Sequence, residues 1–275
     1  MESSETLTWH LSIAYDGGNY HGWQVQPKIK TVQGELLQRL RLMFRNPELK
    51  IYGCSRTDAG VHALDQQVSF TVQMPKDLCR NTFAERLNRW LPDDILITSA
   101  RVCENEFNAR YDNFGKAYIY SLSPAKKVNP IFSNFVWRTP RQLQVDKMRQ
   151  AAEVLTGEHD FASFAVNSGK EMDSTVRNVY KIELIEKDEM IYVSVLGESF
   201  LYKMVRSIVG YLVHVGMGHS KAENTIKVLQ GKDRSLAADS APAQGLFLAK
   251  VFLTPDEWQD YQPILPPFKF QNLKK

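Results

Sequence analysis

The sequence predicts an α+β fold made of two ferredoxin-like α/β halves, which share a mixed, mainly antiparallel sheet with helices packed on it. Strand-like and helix-like segments follow the order β-α-β-β-α-β in the first hundred residues, and the second half repeats that outline. No Gly/Ser-rich linker separates the halves, which favours one shared sheet. We expect an N-terminal half at 1–105, a C-terminal half at 106–255 and an extended, proline-containing tail at 256–275.

The first half begins with a strand, because alternate residues from Trp9 to Tyr15 are large and apolar until a turn at 16–18. Thr31 is suited to cap a helix whose apolar residues, up to Phe44, lie on one face. The remaining predicted elements are short strands at 51–54 and 68–72, a helix at 78–91 that Pro92 ends, and a strand at 95–102.

The second half opens with a strand at 116–122, in which Tyr118 and Tyr120 share one face. A hairpin is predicted over the polar turn 187–189. The remaining predicted elements are a helix at 145–155 that Gly157 ends, strands at 180–186 and 191–196, an apolar helix from Phe200, a polar helix at 220–229 and a strand at 246–253.

Composition describes an ordinary globular protein. Of 275 residues, 43% are hydrophobic and 24% charged, which excludes a disordered, collagen-like or disulfide-scaffold chain. The 34 basic and 31 acidic residues leave a net charge of +3, which permits a polyanionic partner without demanding one.

Motifs for cofactors, metals and membranes are missing. Cys54, Cys79 and Cys103 are widely spaced and form no C-x-x-C pair, and no phosphate loop or G-x-G-x-x-G motif occurs. No leader is visible, and the most apolar stretch, 200–218, contains three basic side chains. We therefore expect a cytoplasmic protein with no metal, no small-molecule cofactor and no membrane contact.

The segment 53–63, GCSRTDAGVHA, is unusual for a connection between two short strands. Arg56 and Asp58 flank Thr57, so their side chains leave an extended backbone in similar directions. One interpretation is that Asp58 caps a helix that starts at Ala59 while Arg56 is solvated. The other is that rigid strands present a catalytic carboxylate on a loop.

The order of residue types in RTDAGVHA, more than the spacing of its charges, resembles the signature of the tRNA pseudouridine synthases of the TruA type. Four further blocks are similar to motifs of that family and occur in the family's order. They are YDGGNYHGWQVQ at 15–26, FNAR with GKAYIY at 107–120, SFLYKMVRSIVG at 199–210, and APAQGL at 241–246.

The resemblance implies an enzyme that isomerises uridine to pseudouridine at positions 38, 39 and 40 in the anticodon stem-loop of tRNA, without a cofactor. It also implies a homodimer and a central active-site cleft. Asp58 corresponds to the catalytic aspartate, a nucleophile. The sequence leaves three paths open: attack on C1′, attack on the base, or removal of a sugar proton.

Three residues of the second half acquire roles from the same resemblance. Tyr118 and Leu246 correspond to substrate-binding residues beside the flipped base, although Tyr118 on its own is typical of a core aromatic. Arg206 lies on a helix that is apolar all round, so it needs a partner or must extend its guanidinium to an edge. The resemblance implies an ion pair between Arg206 and Asp58.

Arg56, Arg110, Trp23 and Gln24 are candidates for RNA contacts. The alternatives are exposed arginines without a role and, with equal weight, Trp23 as a core anchor. Two other functions remain open: a noncatalytic RNA-binding protein, and a metal-dependent hydrolase that uses Asp58 and His62. Chelation by EDTA separates the hydrolase from a synthase that needs no metal.

Overall fold

The structure, a computed structural model, describes residues 5–75, 78–103, 106–125, 128–139, 143–167, 169 and 174–266. The chain divides into two compact units. Unit 1 comprises Met1–Phe114 and Leu248–Thr254, and unit 2 comprises Gly115–Phe247 and Pro255–Lys275. The strands pair mostly antiparallel and helices pack on them, which confirms the predicted α+β class.

Unit 1 has the predicted order of elements. They are β1 (Thr6–Tyr15), α1 (Val32–Phe44), β2 (Tyr52–Gly53), β3 (His62–Gln73), a 3-10 turn (Arg80–Thr82), α2 (Phe83–Asn88) and β4 (Ile95–Cys103). In the sheet, β1 lies between β3 and β4, and β2 pairs with β3; all three pairings are antiparallel. The Thr31 hydroxyl accepts a hydrogen bond from the Gly34 amide, which confirms the predicted cap of α1.

The core of unit 1 is aromatic. The Trp9 and Phe83 rings lie 4.2 Å apart, and Phe44 lies 5.7 Å from both Phe70 and Phe83. These four residues belong to β1, α2, α1 and β3, so one cluster fixes both helices against the sheet.

Unit 2 also follows the expected order of strand, helix, hairpin and helix. Its elements are β5 (Gly115–Ser123), a 3-10 helix (Pro130–Phe135), β6 (Trp137–Arg138), α3 (Val145–Val154), β7 (Gly157–Asp160), a 3-10 turn (Ala162–Phe164), β8 (Val176–Lys187), β9 (Met190–Gly197), α4 (Met204–Gly216), a 3-10 turn (Ala222–Asn224), α5 (Thr225–Gly231) and two further 3-10 turns (Arg234–Leu236 and Ala243–Gly245). The last strand, β10 (Leu246–Phe252), begins in unit 2 and belongs to unit 1 from Leu248 onward. In the sheet, β9 lies between β5 and β8, and β8 pairs with β7, all antiparallel.

Several boundaries differ from the prediction. The helix at 78–91 is only Phe83–Asn88 after a 3-10 turn, because Thr82 leaves the helical region at φ −106°, ψ 5°. The apolar helix begins at Met204 rather than Phe200, because Lys203 is left-handed at φ 58°. The polar helix at 220–229 is a 3-10 turn followed by α5.

The unit boundary falls after Phe114, beyond the expected residue 105. The Ala109 amide donates to the Ser69 hydroxyl of β3 over 2.9 Å, so the turn at 107–113 belongs to unit 1. The chain also returns to unit 1 at 248–254, where the Val251 amide donates to Asp65 over 3.3 Å.

The tail begins as turns rather than as an extended segment. At 255–260 it folds back, and the Trp258 ring stacks on Tyr180 of β8 with centroids 4.7 Å apart. Residues 261–266 have no regular structure, and 267–275 lie outside the described residues.

Candidate active site

The segment that contains Asp58 connects β2 to β3 and is held along its length. The Cys54 amide donates to the Gln67 carbonyl over 2.9 Å. One residue on, the fully buried Gln66 side chain accepts from the Ser55 amide at 3.1 Å and donates to the Ser55 carbonyl at 2.7 Å. The Gln66 side chain thus forms the two backbone hydrogen bonds that a neighbouring strand would otherwise form. These bonds fix the backbone conformation of the loop at Ser55.

Thr57 is the second anchor of this loop. Its hydroxyl lies 2.8 Å from the hydroxyl of buried Tyr15, and its carbonyl accepts from the Trp23 amide at 3.1 Å. Gly22 permits this approach, because a Cβ at Gly22 would lie 2.6 Å from the Thr57 carbonyl oxygen. Burial raises the pKa of the Tyr15 phenol, so this hydroxyl stays protonated at neutral pH.

Asp58 itself is half-buried at the start of a tight turn. Its carbonyl accepts from the Val61 amide at 3.1 Å, and Gly60 has a positive φ of 77°. No helix begins at Ala59 in this described segment, so the helix-cap interpretation of Asp58 is wrong. Thr57 and Val61, on either side of this turn, are buried, whereas Asp58 keeps partial access to solvent.

His62 follows this turn and is buried at the start of β3. Its Nδ1 lies 2.9 Å from an Asp16 carboxylate oxygen and 3.1 Å from the Gly17 amide. The contact with His62 holds the pKa of the Asp16 carboxyl below its usual value. Among the described residues, no three His, Cys, Asp or Glu side chains gather as a metal-binding group.

Arg110 projects from the turn that closes unit 1. The Asn108 side chain accepts from the Arg110 amide at 3.1 Å, and the Ala109 amide is bonded to Ser69 in β3. The exposed Arg110 guanidinium lies 5.2 Å from the Tyr111 ring centre, within cation–π range.

A pocket of about 360 Å³ in unit 1 brings the four RNA-contact candidates together. Trp23 is 1% exposed and Gly53 packs against its ring, so it forms a wall of the pocket and also anchors the core. Gln24 is exposed and donates to Gln33 of α1 over 2.6 Å. The lining residues are Trp23, Gln24, Val25, Gln33, Leu37, Arg41, Lys50, Ile51, Tyr52, Gly53, Arg56 and Arg110.

The remaining candidates lie in unit 2. Tyr118, in the middle of β5, is opposite Val195 of β9 and is 7% exposed. The Phe200 ring meets it edge-on, with centroids 5.3 Å apart and planes at 88°. This contact fixes the ring plane of Tyr118.

Arg206 occupies the first turn of α4 and is half-buried. Its Nε donates to the Ala241 carbonyl over 2.8 Å, and its own carbonyl accepts from the Ala241 amide at 2.9 Å. Gly210, one turn on, allows the segment 239–241 to lie against the helix, because a Cβ there would be 2.0 Å from the Asp239 carbonyl oxygen. Arg206 is therefore oriented by backbone rather than extended into solvent.

Leu246, 5% exposed, begins β10 directly after the segment that Arg206 binds. The Tyr120 hydroxyl donates to the Pro242 carbonyl over 2.6 Å, and Gly245 packs against the Tyr120 ring. Burial raises the pKa of Tyr120, and the positive charge of Arg206 opposes that rise. Unit 2 thus holds Tyr118, Arg206 and Leu246 on elements that are bonded to one another.

Sequence reasoning missed Gln66, Arg41, Lys50 and Tyr52. The polar Gln66-Gln67 pair in an otherwise apolar strand was the one signal that could have pointed to a loop-binding side chain. Arg41, Lys50 and Tyr52 carry no local signal, because α1 and β2 bring them together.

Comparison with known proteins identifies similar chains. A sequence family described as tRNA pseudouridine synthase matches residues 151–252. Curated relatives include tRNA pseudouridine synthase A of Ruminiclostridium cellulolyticum, 40% identical over 88% of this chain and 98% of its own length. The same-named proteins of a Thermoanaerobacter species and of Fervidobacterium nodosum are 39% and 42% identical, each over 88% of this chain and 97% of their own length.

Proposed function

The chain belongs to the tRNA pseudouridine synthase A, or TruA, family, and we propose that it isomerises uridine to pseudouridine at positions 38, 39 and 40 of the tRNA anticodon stem-loop. The family membership rests on relatives about 40% identical over nearly their whole length. The substrate positions come from the family resemblance of the five sequence blocks.

The proposed reaction is an isomerisation in which all atoms are conserved. The bond between uracil N1 and ribose C1′ breaks, the base turns, and a bond forms between C5 and C1′. The C5 proton is lost and N1 gains one. No electron donor or acceptor enters this balance, so the reaction requires no redox cofactor.

Asp58 is the proposed nucleophile. Cleavage of the glycosidic bond builds positive charge on the sugar, and a carboxylate next to C1′ can trap it, as in glycoside hydrolysis. The observation that supports this role most directly is the loop itself: Gln66 binds Ser55, and Tyr15 and Trp23 bind Thr57, so the backbone directly before the half-buried Asp58 is fixed. Such a group is held in position before the substrate arrives, which lowers the cost of reaching the transition state.

Tyr118, Leu246 and Arg206 complete the proposed site. A base in a stem must leave the RNA helix before it can react, which costs a few kcal/mol. Tyr118 would offset this cost by stacking on the uracil, and Leu246 would contact the base as an apolar surface. We propose that Arg206 pairs with Asp58. Its bond to Ala241 uses Nε, and the two Nη nitrogens of a guanidinium suit a two-point contact with a carboxylate.

We extend the proposal to the assembly and location that the resemblance implies, a cytoplasmic homodimer with RNA across both subunits. Arg56 and Arg110 are the proposed first contacts with the RNA backbone, because both are exposed and basic. In the described residues no helix has the length and apolar character to cross a membrane.

The test is incubation with a tRNA transcript that carries tritium at C5 of uridine. Release of tritium to water, with pseudouridine mapped to positions 38–40, is expected. Tight binding of the transcript without tritium release would instead support a noncatalytic RNA-binding protein. Light scattering of the purified protein measures whether it is a dimer.

A further inference from the structure

The charged side chains that line the pocket of unit 1 are all basic. Arg41, Lys50, Arg56 and Arg110 line it, and no acidic side chain is among the described lining residues. The whole chain has a net charge of only +3, so four cations around one pocket are a marked local concentration. We propose that this pocket is a docking subsite for one nucleotide of the tRNA other than the reacting uridine, an inference that rests on the proposed function.

The cations suit a phosphate. Lys50, Arg56 and Arg110 are exposed, so binding a phosphate does not require them to be uncovered first. Arg41 is half-buried on α1, and its Nε donates to the Leu49 carbonyl over 3.2 Å. That bond orients the guanidinium, which reduces the entropy lost when the Nη nitrogens bind a ligand.

Tyr52 supplies a surface for a base. In β2 it is 43% exposed, whereas its neighbour Ile51 is buried, so the ring faces outward at the pocket. No other aromatic ring of the described residues contacts Tyr52. Exposed aromatic rings beside basic side chains are typical of sites that bind single-stranded RNA by stacking and phosphate contacts.

The size and position of the pocket separate it from the reacting group. A volume of about 360 Å³ suits a ligand the size of a nucleotide. Asp58 does not line the pocket, but Arg56, two residues before it on the same braced loop, does. A nucleotide in the pocket would therefore hold the RNA strand beside the catalytic loop without taking part in the chemistry.

The test uses two pocket variants, each with its own control. Lys50→Gln is compared with Lys187→Gln, which removes the charge of an exposed lysine in unit 2, and Tyr52→Ala is compared with Tyr52→Phe. Affinity for an unmodified tRNA transcript is measured across a salt series, and kcat at saturating transcript. We expect Lys50→Gln to reduce the log–log salt slope by about 0.7–0.9. Tyr52→Ala should weaken binding about 5- to 150-fold, while Tyr52→Phe preserves it. In both pocket variants the loss of tRNA affinity should exceed any loss in kcat, whereas Lys187→Gln should change neither.

Affinities and salt slopes in Lys50→Gln and Tyr52→Ala equal to those of Lys187→Gln would overturn the subsite. That result would leave the proposed function standing if the wild type still forms pseudouridine. A wild type that binds the transcript through Lys50 and Tyr52 but forms no pseudouridine would support the subsite and defeat the proposed function.

Discussion

The carboxamide of Gln66 in β3 forms two hydrogen bonds with the backbone of Ser55, 3.1 Å from its amide and 2.7 Å to its carbonyl. Ser55 lies three residues before Asp58. A buried side chain of the sheet therefore fixes the path of the loop that carries the proposed nucleophile.

Gln66→Leu should move this loop. The substitution leaves the buried Ser55 amide and carbonyl without these partners, which costs about 1–3 kcal/mol of unfolding free energy. Pseudouridine formation should fall more in kcat than in tRNA affinity, since the displaced loop carries the proposed nucleophile. Gln73→Leu, an exposed position at the end of β3, is the control. Equal kcat in the two variants would contradict the role of Gln66 in holding this loop.

Asp58→Asn should reduce pseudouridine formation by at least about a thousandfold, because it preserves shape and removes the charge of the proposed nucleophile. Folding and tRNA binding should stay close to wild type, since Asp58 is half-buried on a loop rather than packed in the core. Tritium release and transcript affinity are the measurements, with exposed Asp93→Asn as the control. Turnover comparable to wild type would remove Asp58 from the mechanism.

Tyr118→Leu should weaken catalysis by about 5- to 150-fold in kcat/KM, because leucine keeps apolar volume but has no ring to stack on a base. Tyr118→Phe should retain most activity. Thermal melting of both variants checks the packing against Phe200. If the leucine variant melts normally and reacts at the wild-type rate, Tyr118 is only a core residue.

Arg206→Lys should keep the charge but lose the proposed planar two-point contact with Asp58, so activity should stay well below wild type. The matched control is Arg234→Lys, because Arg234 also binds the neighbouring segment through the Ala237 and Ala238 carbonyls. Arg206→Ala should reduce both stability and activity. Similar activity losses in Arg206→Lys and Arg234→Lys would indicate that Arg206 only holds this segment.

His10 should make stability depend on pH. It is buried, its Nδ1 accepts from Arg101 Nε at 3.1 Å, and burial lowers its pKa below 6.5. Between that lowered pKa and 6.5 the unfolded chain binds more protons than the folded one, so the unfolding free energy should rise with pH and then level off. Denaturant unfolding across this range measures it. His10→Gln should lose that part of the slope, and an unchanged slope would exclude His10.

Local signals predicted the regular elements well. Thr31 and the apolar face of α1 marked a helix that the structure confirms, and the hairpin turns at Asp188 and Glu189, both at positive φ, within the predicted polar turn. The strand β7 was missed because its sequence, Gly-Glu-His-Asp, has no apolar alternation.

The residues of the candidate site were predictable from the sequence only where they lie together in one short segment. Asp58 and its neighbours form one segment, so the motif was visible in the sequence. The cationic pocket joins Arg41 of α1, Lys50 before β2, and Arg110 from a turn sixty residues later, and no spacing rule connects them. The burial of Trp23 likewise depends on Gly53, thirty residues away, which leaves room for its ring.

The return of residues 248–254 to unit 1 sets an order of events during synthesis. Asp65 of β3 is contacted by Lys250 at 3.6 Å and by the Val251 amide, residues that leave the ribosome only after nearly all of unit 2 has been translated. These contacts of Asp65 in unit 1 can thus form only after residues 250 and 251 have been synthesised. A chain that ends before residue 248 would lack these contacts with Asp65, so we expect the unit that is made first to be less stable in it.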